Sequence, residues 1–429
     1  MKKNGFTLVE ITVCVVLLVT IFLIVVPKVN TMINNKKKNA YNSLISTVKD
    51  AAQAYVYLNV NIVDDAIESQ GYYEVSIRTL QENELLENKL ENPLTGKNIP
   101  STSIVKIIKN NEEYIYKFSL DYQYLLEHII DLYSNEETRT SNGLKKDNTP
   151  DQNIRYYGSN PNNYVSFNNE LWRIIGVFGN NVKLVRKDSL GELSWDSSDS
   201  TINSGNGINQ WGESTYEDGS LYEGADLQVY LNKMYYGGTS VTCYNGKNNQ
   251  TTTCPTGTID ETSKSLIDYH IWNTGAIEYN TRTDTLAFYS AERGTTNGKI
   301  CTSGTYCNDT VTRTTEWTGY IGLPYVTDWA YASSESVCET NMQKQDSSNA
   351  YICKNNNWMQ RSTEAWYLSP NADGWSANNA WYVSGVGYAN YNYAANSKAV
   401  APSIYLKSNI LIKSGNGTSS NPYILKAGA

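Results

Sequence analysis

The feature that most constrains this chain is an apolar stretch close to its beginning. Residues 6–26 are apolar except for a few hydroxyl side chains and Glu10. About 20 apolar residues in a helix span a bilayer core of roughly 30 Å. Lys2 and Lys3 precede the stretch and favour a cytoplasmic location for that end. The pattern predicts one membrane-spanning helix, because a secretory signal has a shorter apolar core followed by a small-residue cleavage site.

The residues at both ends of this stretch form a motif. The sequence Gly-Phe-Thr-Leu-Val-Glu occupies residues 5–10, and Pro27 ends the apolar run. This arrangement resembles the processing site of type IV pilins and pseudopilins. The resemblance implies that a prepilin peptidase, which is also an N-methyltransferase, cleaves after Gly5 and methylates Phe6.

Glu10 and Pro27 are the predicted assembly residues. A carboxylate inside a membrane span costs about 2.5–3.5 kcal/mol on insertion scales, so it normally has a partner. In the pilin family that partner is the N-terminal amine of a neighbouring subunit, here the amine of Phe6, and a head-to-tail contact that does not close gives a filament. Pro27 is expected to kink the helix. A plain single-pass anchor is the alternative interpretation.

The next hundred residues have the pattern of a small helix-and-sheet domain. Apolar side chains recur at three- and four-residue spacing from Tyr41 to Tyr55, which predicts an amphipathic helix. Strand-like runs follow at residues 73–77, 103–108 and 114–118. A long helix on a small antiparallel sheet is the pilin fold.

The second half is predicted to be a separate domain. Residues 123–135 predict a short amphipathic helix, and residues 136–160 are rich in polar and charged side chains, which is typical of a linker. From residue 164 the chain runs YVSFNNELWRIIGVF, two strand patterns joined by a turn at Asn168-Asn169. The FNNELWRIIGV opening resembles a domain of Gram-positive secreted and surface proteins, and the order of its motifs is similar to C-type-lectin-like and formylglycine-generating-enzyme-like folds. The oxidising cysteines of that enzyme family have no identifiable match here, so its activity is not expected.

The predicted fold class is therefore α+β: a long N-terminal membrane-spanning α-helix packed on a small antiparallel sheet, then a loop-rich, mixed α+β lectin-like domain. The expected segments are a leader peptide, a membrane and assembly helix, a pilin-like domain, a short helix with linker, and a lectin-like surface domain. Their bounds are 1–5, 6–28, 29–122, 123–160 and 161–429.

Six of the seven cysteines lie in the second half, and Cys14 lies in the apolar stretch. An even number outside the membrane fits disulfides in an oxidising compartment, and six cysteines allow 15 pairings. Since each sequential pair brackets one polar, turn-rich loop, the predicted pairs are Cys243–Cys254, Cys301–Cys307 and Cys338–Cys353. Zinc is the less favoured alternative, because the chain has no CxxC and only two histidines.

Little in the sequence indicates catalysis, a cofactor or a metal. The histidines are His128 and His270, and His270 is expected to occupy an ordinary polar position. The run Asp196-Ser-Ser-Asp-Ser200 could hold a cation but lacks the EF-hand glycine and glutamate, so a solvated loop is favoured. Glu292-Arg293 is a candidate buried ion pair. We expect no enzyme activity, no cofactor and no metal.

Aromatic side chains are the main candidates for ligand binding. Most tryptophans lie in strand patterns and are expected to be core residues. Trp358 and Trp375 lie in polar, Asn-rich segments, where each could stack on a sugar or anchor a protein partner, with simple packing as the alternative. The net charge of −8 argues against broad nucleic-acid binding.

These observations predict a minor pilin or pseudopilin that displays an adhesion or recognition domain on a pilus-like filament. The expected partners are prepilin peptidase, other pilin subunits, the membrane, and a glycan or host surface protein. The predicted location is a single-pass cell-membrane protein before assembly and the cell surface afterwards. The alternative is a structural pseudopilin of a secretion or DNA-uptake machine whose extra domain primes assembly, and a surface enzyme is a third, weaker hypothesis.

Overall fold

The structure, a computed structural model, describes two compact units, unit 1 (Met1–Gln123) and unit 2 (Tyr124–Ala429). The described residues are 36, 39–93, 98–110, 113–118, 123–198, 204–215, 219–278, 283–294, 314–343, 347–372 and 378–428.

Unit 1 consists of helices packed on a three-stranded sheet. Its elements are α1 (39–58), α2 (Val60–Gln70), β1 (Tyr73–Ser76), α3 (Ile77–Glu82), β2 (Ile104–Asn110) and β3 (Glu113–Phe118). The strands are antiparallel in the order β1-β2-β3 and lie where the sequence places them. Val48, Ala52 and Tyr55 of α1 are buried against sheet residues such as Val105, because their three- to four-residue spacing puts them on one helix face.

The predicted fold class is wrong in one element, the long membrane-spanning helix. Among the residues that the structure describes, no helix is both long and apolar enough to cross a membrane. Helix α1 carries Lys49, Asp50 and several amide and hydroxyl side chains, whose burial in lipid would be costly. The predicted single-pass membrane location is wrong on the same finding. Residues 6–28, with Glu10 and Pro27, and the processing residues Gly5 and Phe6 lie outside the described residues.

Unit 2 begins with the last residue of β4 (Gln123–Tyr124) and is built mainly from strands. The first half contains α4 (Leu125–Ser134), α5 (Glu136–Ser141), β5 (Leu144–Lys146), β6 (Ile154–Tyr156), β7 (Tyr164–Phe167), β8 (Glu170–Phe178), β9 (Asn181–Arg186), β10 (Glu192–Ser194), β11 (Ser214–Thr215), β12 (Leu221–Tyr222), α6 (Asp226–Val229), a π-helical segment (Tyr230–Tyr236), β13 (Cys243–Gly246), β14 (Gln250–Thr252), α7 (Glu261–Lys264) and β15 (His270–Asn273).

The second half of unit 2 alternates short helices with strands. It contains α8 (Thr285–Glu292), β16 (Glu316–Gly319), β17 (Ile321–Gly322), α9 (Val326–Tyr331), α10 (Val337–Thr340), α11 (Ser347–Asn355), β18 (Ala365–Pro370), β19 (Asn379–Val383), β20 (Ala389–Tyr393), β21 (Ser397–Ala399), β22 (Ser403–Leu406), β23 (Ile410–Ser414) and β24 (Tyr423–Ala427).

Two main sheets of described strands organise unit 2. The larger has ten strands, with the path β17-β22-β9-β8-β7-β24-β23-β4 and with β5 and β6 attached beside β8. The smaller has five strands in the order β10-β21-β18-β19-β20. Asn168 and Asn169 both have φ of 56°, the left-handed conformation that a tight β7–β8 hairpin turn requires.

The core of unit 2 is rich in tryptophan. Trp172 and Trp366, from the larger and the smaller sheet, are both fully buried, as the strand patterns predict. Other fully buried tryptophans are Trp195, Trp211, Trp272, Trp329 and Trp381. Large rigid rings bury much apolar surface per residue, which suits a chain with only 6 phenylalanines.

The segment expected to be a linker is folded. Residues 136–160 form α5, β5 and β6, and Arg155 of β6 is 1% exposed. The Arg155 guanidinium donates to Asp147 Oδ2 at 2.8 Å and to Asp328 Oδ1 at 2.6 Å. Because the partner Asp328 lies far along the chain, the polar composition of this segment gave no indication that its charges are buried as pairs.

Two of the predicted disulfides are present. Cys243–Cys254 joins residues 11 apart and Cys338–Cys353 joins residues 15 apart, which confirms sequential pairing for both. Cys301 and Cys307 lie outside the described residues, so the third pair stays a prediction. Disulfides persist in oxidising compartments, which favours an extracellular environment for unit 2.

Candidate functional site

A cavity of about 360 Å³ lies in unit 2 beside the end of β9 and the loop before β18. Among the described residues that line it, the cationic ones are Arg173, Arg186, Lys187 and Arg361, and Asp188 is the one carboxylate. This charge balance is opposite in sign to the net charge of −8 of the whole chain. A cavity of this size is within the range that holds small ligands.

Arg173 of β8 is the most deeply buried of these cations, at 6% exposure. Its Nε donates to Asn163 Oδ1 at 2.8 Å and its Nη2 to the Pro161 carbonyl at 3.2 Å. The guanidinium carbon lies 4.1 Å from the Tyr164 ring centroid and 4.5 Å from that of Trp358. Burial lowers the pKa of Arg173 to about 10, because desolvation outweighs the opposing effect of Tyr164.

Arg361 is held in the same way by neutral groups. Its Nη1 donates to the Lys187 carbonyl and its Nη2 to the Arg186 carbonyl, both at 2.7 Å. These bonds tie the loop before β18 to the end of β9 and so fix one wall of the cavity. Burial lowers the pKa of Arg361 from its ordinary value, against the opposing effects of Tyr367 and Asp188.

The two other cations have carboxylate partners. Arg186 Nε and Nη2 bind the two Glu170 carboxylate oxygens at 2.8 and 3.1 Å, a bidentate pair. Burial alone would lower the pKa of Arg186, but its bonds to Glu170 raise it. Lys187 Nζ lies 3.3 Å from Asp188 Oδ1 in an exposed pair. Arg186 and Lys187 thus each have a carboxylate within 4 Å, whereas Arg173 and Arg361 have none among the described residues.

A second group of buried cations in unit 2 shows how the same fold neutralises charge. Asp328 of α9 accepts from Arg155 Nη1 and from Lys183 Nζ, each at 2.6 Å. Burial lowers the pKa of Lys183 to about 8, against the opposing effect of Asp328. Burial alone would raise the pKa of Asp328, but Lys183 and Arg155 hold it below its ordinary value. We call Arg155, Lys183, Asp147 and Asp328 the paired cluster.

Of the two tryptophans predicted to bind ligand, the structure places Trp358 at the cavity. Its side chain is 8% exposed, its Nε1 donates to the Tyr156 carbonyl at 2.8 Å, and its ring faces the Arg173 guanidinium. Trp358 therefore packs the wall of the cavity and positions Arg173, and direct contact with a ligand stays a prediction. Trp375 lies outside the described residues.

Neither histidine lies among the residues that line the cavity. His270 Nδ1 is 3.0 Å from Asp268 Oδ2, and its ring stacks on Tyr405 with centroids 3.7 Å apart. Burial lowers the pKa of His270 from its ordinary value, which favours the neutral ring at pH 7. His128 Nε2 is 2.9 Å from the Tyr423 hydroxyl.

The candidate cation loop is more buried than the sequence suggested. Asp196 is 1% exposed and accepts from the Ser198 and Ile208 backbone N–H groups and from the Tyr222 hydroxyl. Its carboxylate thus caps backbone donors within its own unit. Asp199 and Ser200 lie outside the described residues, and within the described part no group of three or more His, Cys, Asp or Glu side chains is placed to hold a metal ion.

The Glu292–Arg293 pair, a candidate buried ion pair from the sequence, lies at the end of helix α8. Arg293 Nη1 is 3.5 Å from Glu292 Oε2, and Glu292 is fully buried while Arg293 is partly exposed. Glu292 also accepts from the Thr327 hydroxyl at 2.8 Å. Burial raises the pKa of Glu292 to about 7.

The four cationic residues of the cavity were not predicted from the sequence: Arg173, Arg186, Lys187 and Arg361. One indication was present: Arg173 interrupts an otherwise apolar strand between Trp172 and Ile174, and an arginine at such a position must find polar partners. Nothing local distinguishes Arg361, because its importance depends on carbonyl groups about 175 residues away in the chain.

The chain matches no protein-family model, no curated protein and no solved structure.

Proposed function

We propose that this protein is a pilin-like subunit that presents unit 2 outside the cytoplasm as a ligand-recognition module. The observation that carries the proposal is the cavity of unit 2, in which Arg173 and Arg361 are only partly matched by protein groups. The two disulfides support an extracytoplasmic location for unit 2. The Gly-Phe-Thr-Leu-Val-Glu motif at residues 5–10 supports filament assembly.

Binding is favoured over catalysis by the kind of groups that meet at the cavity. Guanidinium groups stay protonated at pH 7 and do not exchange protons with a substrate. They recognise planar or tetrahedral oxyanions by paired N–H donors. In this proposal prepilin peptidase processes the chain at Gly5 and Phe6, and Glu10 pairs with the neighbouring subunit.

The recognition part is tested with the full chain on a glycan array and on intact cells. Saturable binding to a defined glycan or cell surface is the expected result, and we expect it to weaken when Trp358 is replaced by Leu, since the Arg173 guanidinium then loses the ring that positions it. Circular dichroism and melting temperature establish that the variant is folded. Absence of saturable binding across the array and the cells would sink the recognition function.

The assembly part is tested by mass spectrometry of filaments sheared from producing cells. The expected result is a chain that begins at N-methylated Phe6, present in the filament fraction. Recovery of the chain only with Met1 intact, and only outside filaments, would contradict it.

A structural role in assembly is the second candidate, favoured by apolar side chains that unit 1 leaves uncovered. Tyr57, Leu58 and Ile62 are 83%, 64% and 59% exposed near the junction of α1 and α2. Neighbouring subunits would cover such a patch. If filaments are lost when these side chains are made polar while the array and cell assays show no ligand, this second function replaces the first.

A further inference from the structure

The two arginines without a carboxylate partner identify the kind of ligand that the cavity fits. In the described chain, Arg173 and Arg361 donate only to an amide oxygen and to backbone carbonyls, and neither is in an ion pair. Arg173 is buried and Arg361 is partly buried, and buried charges in proteins are normally paired, as the cluster around Asp328 illustrates within the same unit. An anionic ligand would complete the pairing at the cavity.

The rest of the lining indicates what carries the anion. Ser362 and Thr363, both exposed, line the cavity beside the arginines, whereas the Ser189 hydroxyl and the Gln360 amide already bond protein groups. The hydroxyls of Ser362 and Thr363 can bind sugar hydroxyls, which a bare inorganic anion lacks. A volume of about 360 Å³ accommodates one sugar ring.

We infer that the cavity binds the carboxylate of an acidic sugar, with Arg361 and Arg173 as the anion-binding residues. This inference rests on the proposed recognition function and specifies its ligand class. The lowered pKa values of both arginines are consistent with it, because the charge of a bound carboxylate would offset the hydration that each cation loses on burial.

The test is isothermal titration of the full chain with galacturonic acid, galactose and inorganic phosphate at constant ionic strength and pH 7. We expect saturable binding of galacturonic acid, with galactose at least about 10-fold weaker, since a charge-assisted hydrogen bond contributes about 1.5–3 kcal/mol. Phosphate should also bind more weakly, since it has no sugar hydroxyls to bond Ser362 and Thr363. Binding should weaken at higher salt, because the attraction is partly electrostatic.

Single substitutions test which side chains of the cavity hold the ligand. Arg361→Gln should weaken galacturonic acid binding about 10-fold or more. Lys187→Gln removes a cavity charge that is 42% exposed and should weaken it by roughly 2- to 3-fold. Lys233→Gln is the matched control: it breaks an ion pair of the same 3.3 Å length, with 54% exposure, away from the cavity, and should leave binding unchanged.

Several outcomes overturn the inference. Equal binding of galactose and galacturonic acid, or galacturonic acid binding unaffected by Arg361→Gln in a folded protein, shows that the ligand is not held by its charge. Phosphate binding as tight as that of galacturonic acid shows an anion site without sugar selectivity. Lack of any binding also rejects it. The recognition function itself fails only if the array and cell assays are negative as well, so the two failures are distinguishable.

Discussion

The paired cluster and the cavity of unit 2 both bury cations, but they balance the charge differently. In the paired cluster, Arg155 and Lys183 share the carboxylate of Asp328. At the cavity, Arg173 and Arg361 face carbonyl and amide oxygens, and the nearby carboxylate of Glu170 is taken by Arg186. The same unit supplies carboxylate partners for the cations of the paired cluster. Among the described residues Arg173 and Arg361 have no carboxylate partner, and this difference suggests a ligand.

The two ways of balancing a buried cation also differ in what their loss costs in stability. Breaking a buried pair leaves a charge without compensation, whereas weakening bonds to neutral oxygens removes only the hydrogen bonds. The first kind of change should therefore cost far more free energy of unfolding than the second.

The largest effect is expected for Asp328→Asn. The substitution leaves Arg155 with only Asp147, and Lys183 with no carboxylate within 4 Å in the described chain, which should lower the free energy of unfolding by about 3–5 kcal/mol. Urea denaturation measures this. Asp188→Asn is the control, because its side chain is 73% exposed and its loss should cost less than about 1 kcal/mol. Equal costs for both substitutions would remove the distinction between buried and exposed pairing.

A pH-dependent effect is expected at Glu292, close to the paired cluster. Its pKa is about 7 in the folded chain against an ordinary 4.5, so between these values the folded state holds the proton more tightly than the unfolded state. The contribution of protonated Glu292 to the free energy of unfolding is fully present below pH 4.5. It is lost as the pH rises through about 7, which lowers the free energy of unfolding by on the order of 3 kcal/mol.

Melting temperature as a function of pH checks this expectation. Glu292→Gln should flatten the decline between pH 4.5 and 7, and Glu261→Gln, an exposed carboxylate with 88% exposure, should leave the curve unchanged. An unaltered decline in Glu292→Gln would show that other groups cause it.

The smallest stability effect is expected at the cavity. Arg361→Gln removes two hydrogen bonds to backbone carbonyls but also a cation without a carboxylate partner, so the net cost should be about 1 kcal/mol. Urea denaturation without ligand gives the value. A cost as large as that of Asp328→Asn would place Arg361 among the structural cations and weaken the case for a ligand.

The sequence predicted the parts of the fold that local patterns determine. The strands of unit 1, the Asn168-Asn169 turn and the Cys243–Cys254 and Cys338–Cys353 disulfides follow from alternation, turn chemistry and loop spacing. These features depend on residues close together in the chain, which is why they can be recognised without the structure.

The parts that could not be predicted depend on distant residues. The segment 136–160 has the composition of a linker, yet Arg155 is buried because Asp328, 173 residues away, neutralises it. Arg361 is similarly positioned by carbonyls of Arg186 and Lys187. The predicted membrane-spanning helix relied on an apolar run and its flanking motif, and no helix among the described residues is long and apolar enough to cross a membrane.

The most direct test of the central claim is a crystal structure of the protein with galacturonic acid bound. We predict density for the sugar in the cavity, with its carboxylate within hydrogen-bond distance of the guanidinium of Arg361 or Arg173. A sugar bound elsewhere, or bound in the cavity with its carboxylate directed away from both arginines, would contradict the account.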